Sequence, residues 1–184
     1  MSKKDSRSKF LALILRHKPE VIGIKLDSNG WADVDELIHK ISNKDTYFDI
    51  GVLHNIVNTD KKGRYSFNDD KTKIRANQGH SIEVDVELEE VTPPKYLYHG
   101  TATRFIEGIM KNGLISKGRL YVHLSDKMDV ALEVGRRHGN PILLTINTRR
   151  MVHDGYKFYI SDNGVYLTKI VPYKYIESKI QLKE

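Results

Sequence analysis

The stretch EEVTPP, from Glu89 to Pro94, separates two halves of the chain that differ in pattern. It follows neither the period of a helix nor the alternation of a strand, and a proline disfavours helical backbone in the residue before it. We therefore predict two domains, residues 1–88 and residues 96–184, joined by a linker over residues 89–95. The length of 184 residues suits two small domains.

On the N-terminal side of this stretch, the pattern predicts three short helices and then a β-hairpin. The segment KFLALILRH has apolar residues at helical spacing and ends just before Pro19, while Asp33 and Asp49 are placed to cap the next two helices. The runs RYSF and KIRA bracket a polar turn, and the alternating segment IEVDVEL, residues 82–88, predicts a further strand. Three helices followed by a hairpin are typical of a winged-helix-like domain.

On the C-terminal side, the pattern alternates between strand and helix. The segments YLYHG, LYVHL and PILLTIN predict strands, and the segments TRFIEGIMKNG and DKMDVALEVGRRHG between them predict helices. KFYI, GVYLT and KIVPY predict further short strands near the end. The fold class predicted for the whole chain is therefore α+β.

The composition is that of a globular protein, with 39% hydrophobic and 29% charged residues. The absence of cysteine excludes disulfides, thiolate zinc sites and a cysteine nucleophile. No segment approaches the roughly 20 apolar residues that a membrane-spanning helix needs, and the start MSKKDSRSK does not lead into a signal peptide. We expect a cytoplasmic monomer without a membrane partner, and the net charge of +6 suits a polyanionic partner without establishing one.

Several common motifs of nucleotide and metal enzymes are missing from the sequence. There is no Gly-Lys-Ser/Thr phosphate loop, no GxGxxG after a strand and no HExxH. The eight histidines are scattered, and no short His/Asp/Glu cluster has the spacing of metal ligands. We therefore predict no metal.

The candidate functional residues are polar residues that are flanked by apolar residues in the sequence. Each of them has an ordinary structural explanation when it is taken singly. A helix end favours cations, a hairpin carries surface arginines, a histidine at a strand end can be satisfied by the backbone, and a glycine can simply form a turn. The residues open to such explanations are Arg16, His17, Arg64, Arg75, His99, Gly100 and His123.

Taken together, the strings LRHKPE, GWADVDEL, IRANQGHS, PPKYLYHGTA, YVHLS, VGRRHG and NGVYLT occur in this order. In this combination the chain closely resembles the NAD-dependent RNA 2′-phosphotransferase family, whose eukaryotic members finish tRNA splicing. The resemblance runs from about Ser8 to Ile176. It implies an N-terminal winged-helix-like lobe that binds RNA, followed by a C-terminal ADP-ribosyltransferase-like lobe that binds NAD.

The resemblance also implies the substrates and the reaction. The partners are an RNA with an internal 2′-phosphate, as in a tRNA, and NAD, which is consumed as a co-substrate without a metal. The RNA 2′-phosphate displaces nicotinamide, and the ribose 2″-hydroxyl then attacks the phosphorus, which yields 2′-hydroxyl RNA and ADP-ribose 1″,2″-cyclic phosphate. The alternatives are a single-step ADP-ribosyltransferase acting on protein or nucleic-acid ends, and a nucleic-acid binder without catalytic activity.

The catalytic residues implied by the resemblance are phosphate-binding arginines and one histidine that moves a proton. They are Arg16, His17, Arg64 and Arg119. Arg75 lies in the neighbouring strand and is an alternative to Arg64 at the same phosphate. The residues expected to bind RNA or phosphate are Arg75, Asn77, Gln78, His80 and Ser81.

The NAD-binding residues implied by the resemblance include a three-part signature of ADP-ribosyltransferases. Transferases that modify proteins often carry an acid at its third position, which is a valine here, so we expect a nucleophile that brings its own charge. Arg137 and His138 are expected to contact the NAD pyrophosphate, an RNA phosphate or only solvent. The signature is His99, His123 and Val165, and the remaining NAD-binding residues are Gly100, Thr101, Leu124, Ser125, Arg137 and His138.

Overall fold

A computed structural model describes residues 3–181 of the chain. The chain forms two compact units that divide between Glu87 and Leu88. Both units contain helices and strands, so the predicted α+β class is confirmed.

Unit 1, the N-terminal unit, contains three helices and three short strands, as well as a 3-10 turn at Pro19–Val21. The helices are α1 (Lys3–Arg16), α2 (Val34–Ser42) and α3 (Ile50–Asn58), and the strands are β1 (Ala32–Asp33), β2 (Tyr65–Phe67) and β3 (Lys73–Ala76).

The helices of unit 1 begin where the sequence predicts, because their caps are local. Asp33 accepts a hydrogen bond from the Glu36 N–H at 2.8 Å, and Asp49 accepts one from the Val52 N–H at 2.8 Å. Helix α1 ends at Arg16, just before the 3-10 turn that Pro19 starts.

The strands of unit 1 form one antiparallel sheet in the order β1-β3-β2. An apolar core lies between this sheet and the helices, and its fully buried members include Leu11, Ile14, Leu15, Leu37, Leu53 and Ile74.

The prediction of a strand over residues 82–88 is wrong. Residues 83–88 have no regular secondary structure. The segment instead packs beside an earlier loop, where the Asp85 N–H donates to the Ser28 carbonyl at 2.9 Å and the Asn29 side chain donates to the Asp85 carbonyl at 2.9 Å. Glu87 has a positive φ of 56°, which a strand does not tolerate.

Unit 2, the C-terminal unit, contains three helices and nine strands within the described residues. The helices are α4 (Ile106–Asn112), α5 (Met128–Arg136) and α6 (Thr148–His153). The strands are β4 (Glu89–Glu90), β5 (Tyr96–Ala102), β6 (Leu114–Ile115), β7 (Val122–Leu124), β8 (Pro141–Asn147), β9 (Tyr159–Ile160), β10 (Tyr166–Thr168), β11 (Ile170–Val171) and β12 (Ile176–Gln181).

Two antiparallel sheets carry the candidate residues of unit 2. One has the order β12-β8-β5 and the other the order β4-β9-β10-β7, while β11 and β6 form a separate pair. A single bridge between Tyr98 and Ser125 joins the two sheets, with N–H to carbonyl distances of 2.7 and 2.9 Å. Strands β5 and β7 are therefore neighbours at this point.

The structure differs from the predicted linker over residues 89–95 at its start. Glu89 and Glu90 form β4 and pair with β9, and the Val91 N–H donates to the Phe158 carbonyl at 2.9 Å. The first part of this segment is thus an edge strand of unit 2.

Helix α5 packs on β5 through two glycines. A Cβ added to Gly100 would lie 1.6 Å from the Ala131 carbonyl oxygen, and one added to Gly135 would lie 2.7 Å from the Thr101 carbonyl oxygen. Neither position has room for a side chain. This close approach fixes β5, whose residues include His99, against the helix.

None of the helices within residues 3–181 combines the length and apolar character that crossing a membrane requires.

Candidate functional site

Some of the candidate residues of unit 1 meet at the end of α1. His17 Nδ1 lies 2.9 Å from the Ser81 hydroxyl oxygen, and the Ser81 N–H donates to the Arg16 carbonyl at 3.0 Å. Three of the predicted residues, Arg16, His17 and Ser81, are therefore brought together. Ser81 holds the imidazole in one orientation.

Gly79 allows the loop to pass close to Arg16. Its φ is +89°, a conformation that favours glycine. A Cβ added there would lie 3.5 Å from Arg16 Nη1, so the guanidinium rests against the loop backbone.

His80 is 2% exposed and faces the interior of unit 1. Burial, together with the charges of Arg16, His17 and Arg75, lowers its pKa to about 4, although a hydrogen bond to the Leu15 backbone raises it. Its Nε2 lies 3.6 Å from the position of a Cβ on Gly30. The structure thus places His80 as a neutral anchor between the loop and α1, although the sequence predicts RNA contact.

Asn77 is 5% exposed and ties the loop to the preceding turn. Its N–H donates to the Arg64 carbonyl at 2.9 Å, and its Nδ2 donates to the Gly63 carbonyl at 2.8 Å. Gln78, the next residue, is half-buried. Asn77 therefore shapes the loop rather than presenting its side chain to solvent.

The Arg64 guanidinium lies beside the middle of α1. Its Nη2 is 3.2 Å from an Asp60 carboxylate oxygen, and its Nη1 is 3.4 Å from the Ser8 hydroxyl. Ser8 precedes Arg16 by about 12 Å along the helix axis. The structure does not bring Arg64 to the helix end that carries Arg16 and His17.

Arg75 is engaged on two sides within unit 1. Its Nη1 pairs with a Glu87 carboxylate oxygen at 3.1 Å, and its guanidinium lies 4.4 Å from the Trp31 ring centroid. The side chain is only 11% exposed. These contacts are those of a residue that stabilises the hairpin.

In unit 2, His99 lies on β5 and is fixed by a neighbouring strand. Its Nδ1 lies 3.0 Å from the His123 carbonyl, so Nδ1 carries the proton and donates. Burial lowers the His99 pKa, and the charges of His138 and Arg119 lower it further, although the carbonyl contact raises it. A neutral imidazole results, whose Nε2 can accept a hydrogen bond.

Arg119 approaches His123 from the loop before β7. Its Nη1 is 3.5 Å from His123 Nδ1, a distance at the limit of a hydrogen bond, and Arg119 is exposed. Because guanidinium can only donate, this contact favours the His123 tautomer with an unprotonated Nδ1.

Val165 lies where β10 meets β7. It directly precedes Tyr166, which pairs with Leu124, and its N–H and carbonyl both bond Ser161. Since Ser125 bridges Tyr98 and β7 pairs with β10, the strands that carry His99 and His123 and the residue before β10, Val165, follow one another in the order β5, β7 and β10. Leu124 is 2% exposed and belongs to the apolar core, so its side chain is not available to a ligand.

Gly100 and the backbone of Thr101 lie against α5. The resemblance implies that Gly100 binds NAD, but the space that its missing Cβ leaves is filled by the Ala131 carbonyl. Thr101 is 5% exposed. Packing of α5 therefore explains the glycine at position 100.

Arg137 and His138 follow α5 and are both exposed. Arg137 pairs with Glu133 at 2.8 Å, and His138 lies edge-on to Phe105 with 6.2 Å between ring centroids. The charge of His138 acts on the pKa of His99, which places it near the candidate NAD residues.

Sequence reasoning missed the partners that hold these side chains, namely Asp60, Trp31 and Glu87, and it missed Gly135. A glycine inside a helical pattern is a signal of close packing, so Gly135 could have been found. The other three give no local signal. Within residues 3–181, no three His, Asp or Glu side chains are grouped as metal ligands.

Comparisons with known proteins place the chain in one family. The family model described as RNA 2′-phosphotransferase, Tpt1 / KptA family, matches residues 2–170. A "Probable RNA 2′-phosphotransferase" of Flavobacterium johnsoniae is 53% identical over 174 residues, which cover 95% of this chain and 96% of that protein. One of Fusobacterium nucleatum is 54% identical, and the match covers 92% of this chain and 95% of that protein. One of Escherichia coli is 47% identical, and the match covers 92% of this chain and 93% of that protein.

Proposed function

Because the chain belongs to the RNA 2′-phosphotransferase, Tpt1 / KptA family, we propose that it transfers an internal RNA 2′-phosphate to NAD in two steps. The enzyme class predicted from the sequence is confirmed by the same comparisons. The use of NAD and the roles of individual residues are our inference.

In the first step, a 2′-phosphate oxygen forms a bond to C1″ of the nicotinamide riboside, and the bond from C1″ to nicotinamide breaks. The product is RNA-2′-phospho-ADP-ribose. In the second step, the ribose 2″-hydroxyl bonds to phosphorus and loses its proton, while the RNA 2′-oxygen leaves and gains one. ADP-ribose 1″,2″-cyclic phosphate and 2′-hydroxyl RNA result.

The observation that carries this proposal is that His99, His123 and Val165 lie on or beside neighbouring strands, β5, β7 and β10. A neutral His99 offers Nε2 to a ribose hydroxyl, since its Nδ1 donates to the His123 carbonyl. Val165 supplies no carboxylate that would activate a neutral acceptor. The arrangement suits an acceptor that is already an anion, as a 2′-phosphate is.

In unit 1, Arg16 and His17 are proposed to bind the phosphate. A guanidinium matches phosphate oxygens with two parallel donors, and an imidazole transfers protons near neutral pH. Because Ser81 contacts Nδ1 of His17, we assign the proton transfer of the second step to Nε2.

Arg64 and Arg119 are proposed to complete the phosphate-binding set. Arg64 pairs with Asp60, so its action requires that it exchange this carboxylate for a phosphate. Arg119 is exposed beside His123, next to the proposed position of the NAD ribose.

The two folds that the resemblance implies are also proposals. Three helices followed by the antiparallel order β1-β3-β2 support a winged-helix-like unit 1 that binds RNA. The two bridged sheets with α5 packed on β5 support an ADP-ribosyltransferase-like unit 2 that binds NAD.

The test is to incubate the protein with RNA that carries one internal 2′-phosphate, with and without NAD, and to separate the products by thin-layer chromatography. We expect nicotinamide, cyclic phosphate and dephosphorylated RNA only with NAD. A stable ADP-ribosylated product without dephosphorylated RNA would favour the single-step transferase. Equal dephosphorylation without NAD would contradict the proposal.

A further inference from the structure

The face of the four-stranded sheet that carries His123 also holds tyrosines that the proposed reaction does not use. Leu124 pairs with Tyr166, and both pack in the apolar core. Because side chains alternate along a strand, the residues on either side of them lie on the opposite face. Those residues are Tyr121, His123, Tyr159, Leu167 and Lys169.

Two aromatic rings and one cation are assembled on this face. The Tyr121 and Tyr159 ring centroids are 5.8 Å apart at an interplanar angle of 66°, and Lys169 Nζ lies 3.8 Å from the Tyr121 centroid. Both tyrosines are half-buried and Lys169 is exposed. Leu167, at 1% exposure, pairs with Tyr159 on the same face. We call Tyr121, Tyr159 and Lys169 the tyrosine platform.

The position of the tyrosine platform links it to the substrate. Tyr121 is two residues before His123 on the same face, and His123 is proposed to contact NAD. Register places Lys169 opposite Tyr121, one residue beyond the Thr168–Val122 pair. A group held on the platform therefore lies beside the proposed reaction centre within unit 2.

We propose that the tyrosine platform binds the base and backbone phosphate of the RNA nucleotide next to the 2′-phosphate. The inference rests on the proposed function. Proteins recognise unpaired nucleotides by stacking bases on aromatic rings, and every base has a π-face. An exposed lysine beside the ring supplies the charge for the adjoining phosphate, and it can move from the ring to that phosphate because both contacts are at the surface.

The test uses two short 2′-phosphorylated RNAs that differ only in the nucleotide next to the modified one, which carries a base in one and is abasic in the other. We expect wild-type kcat/KM to be roughly tenfold higher with the base. Tyr121→Ala and Tyr159→Ala should lose this ratio, and Tyr121→Phe should keep it because the ring remains. Tyr47→Ala removes a tyrosine of unit 1 that is 72% exposed, and it should leave the ratio unchanged.

Lys169→Gln gives a second measurement. It should raise KM for both RNAs and reduce the slope of log KM against log salt by about one. The KM for NAD should stay unchanged in all these variants.

If the wild-type enzyme had the same kcat/KM for the two RNAs, the proposed binding of a base by the tyrosine platform would be overturned, whatever the variants do. A variant that raises the KM for NAD but keeps the kcat/KM ratio between the two RNAs would also overturn the proposal. Such a result would place the tyrosine rings in the NAD site. Failure of the proposed function is distinguishable, because the wild-type enzyme would then convert neither RNA in an NAD-dependent reaction.

Discussion

The two units hold one buried and one half-buried histidine in different surroundings. His80 of unit 1 lies among the charges of Arg16, His17 and Arg75, whereas His99 of unit 2 is held by a backbone carbonyl against a helix. Burial keeps both imidazoles neutral. In unit 1 the neutral His80 ring adds no further charge beside the cations. In unit 2 the neutral His99 ring is itself the candidate NAD-binding group. On the proposed roles, the phosphate site assembles charge, while the ribose site presents an oriented neutral group.

The largest effect is expected in unit 2 from Gly100→Ala. The new Cβ would lie 1.6 Å from the Ala131 carbonyl oxygen, so α5 must move away from β5. We expect a loss of at least about 3 kcal/mol in the free energy of unfolding, together with loss of activity. Thermal and urea unfolding measure it.

The matched control is Gly108→Ala in α4, where nothing lies within 4 Å of the added Cβ. This change should be neutral or stabilising by up to about 1 kcal/mol. Equal stability of the two variants would show that α5 does not depend on the glycine contact.

Gly100 also illustrates what sequence can and cannot predict. Helix starts at Asp33 and Asp49 and the hairpin β2-β3 were predictable, because a cap or a turn depends on residues a few positions apart. The reason for Gly100 lies in Ala131, which is distant in sequence. No local pattern carries such a contact.

The same limit explains the errors in unit 1. Residues 82–88 alternate like a strand, but contacts with Ser28 and Asn29 hold the segment in an irregular path. The segment IRANQGHS could be recognised from the sequence as a motif. The partner of Arg64 could not be, because the sequence gives no reason to prefer Asp60 over a phosphate.

The second prediction concerns the pH dependence of unit 1. The pKa of His80 is about 4 in the folded chain and near its ordinary value of 6.5 in the unfolded chain. Between these values the unfolded chain binds more protons, so the free energy of unfolding falls as the pH drops from 6.5 towards 4. The full loss is about 3 kcal/mol.

Urea unfolding between pH 7.5 and pH 4 measures this loss. His80→Gln should flatten the profile, because glutamine keeps a donor for the Leu15 backbone and does not titrate. His39→Gln, at an exposed position of the same unit, should retain the wild-type slope. A wild-type slope in His80→Gln would mean that another group causes the acid sensitivity.

The smallest effect is expected from Arg137→Ala. The Arg137–Glu133 pair is exposed and four residues apart on the helix, so its loss should cost no more than about 0.5 kcal/mol. We expect the KM for NAD and for RNA to change less than about threefold. A large rise in the KM for NAD alone would show that Arg137 leaves Glu133 to bind the pyrophosphate.

The central claim is that unit 1 serves the phosphate and unit 2 serves NAD, and a rapid-quench time course of His17→Ala and His99→Ala tests it most directly. In the first step the phosphate is already an anion, whereas the second step must stabilise charge at phosphorus and exchange a proton between two hydroxyls. Loss of one preorganised donor slows a step by about 10²–10³. Nicotinamide release, the intermediate and the final RNA are all quantified.

We expect His17→Ala to release nicotinamide at nearly the wild-type rate and to accumulate RNA-2′-phospho-ADP-ribose. His99→Ala should slow nicotinamide release and accumulate no intermediate. If both variants slow nicotinamide release and dephosphorylation to the same extent, and neither accumulates the intermediate, the division of roles between the two units is wrong.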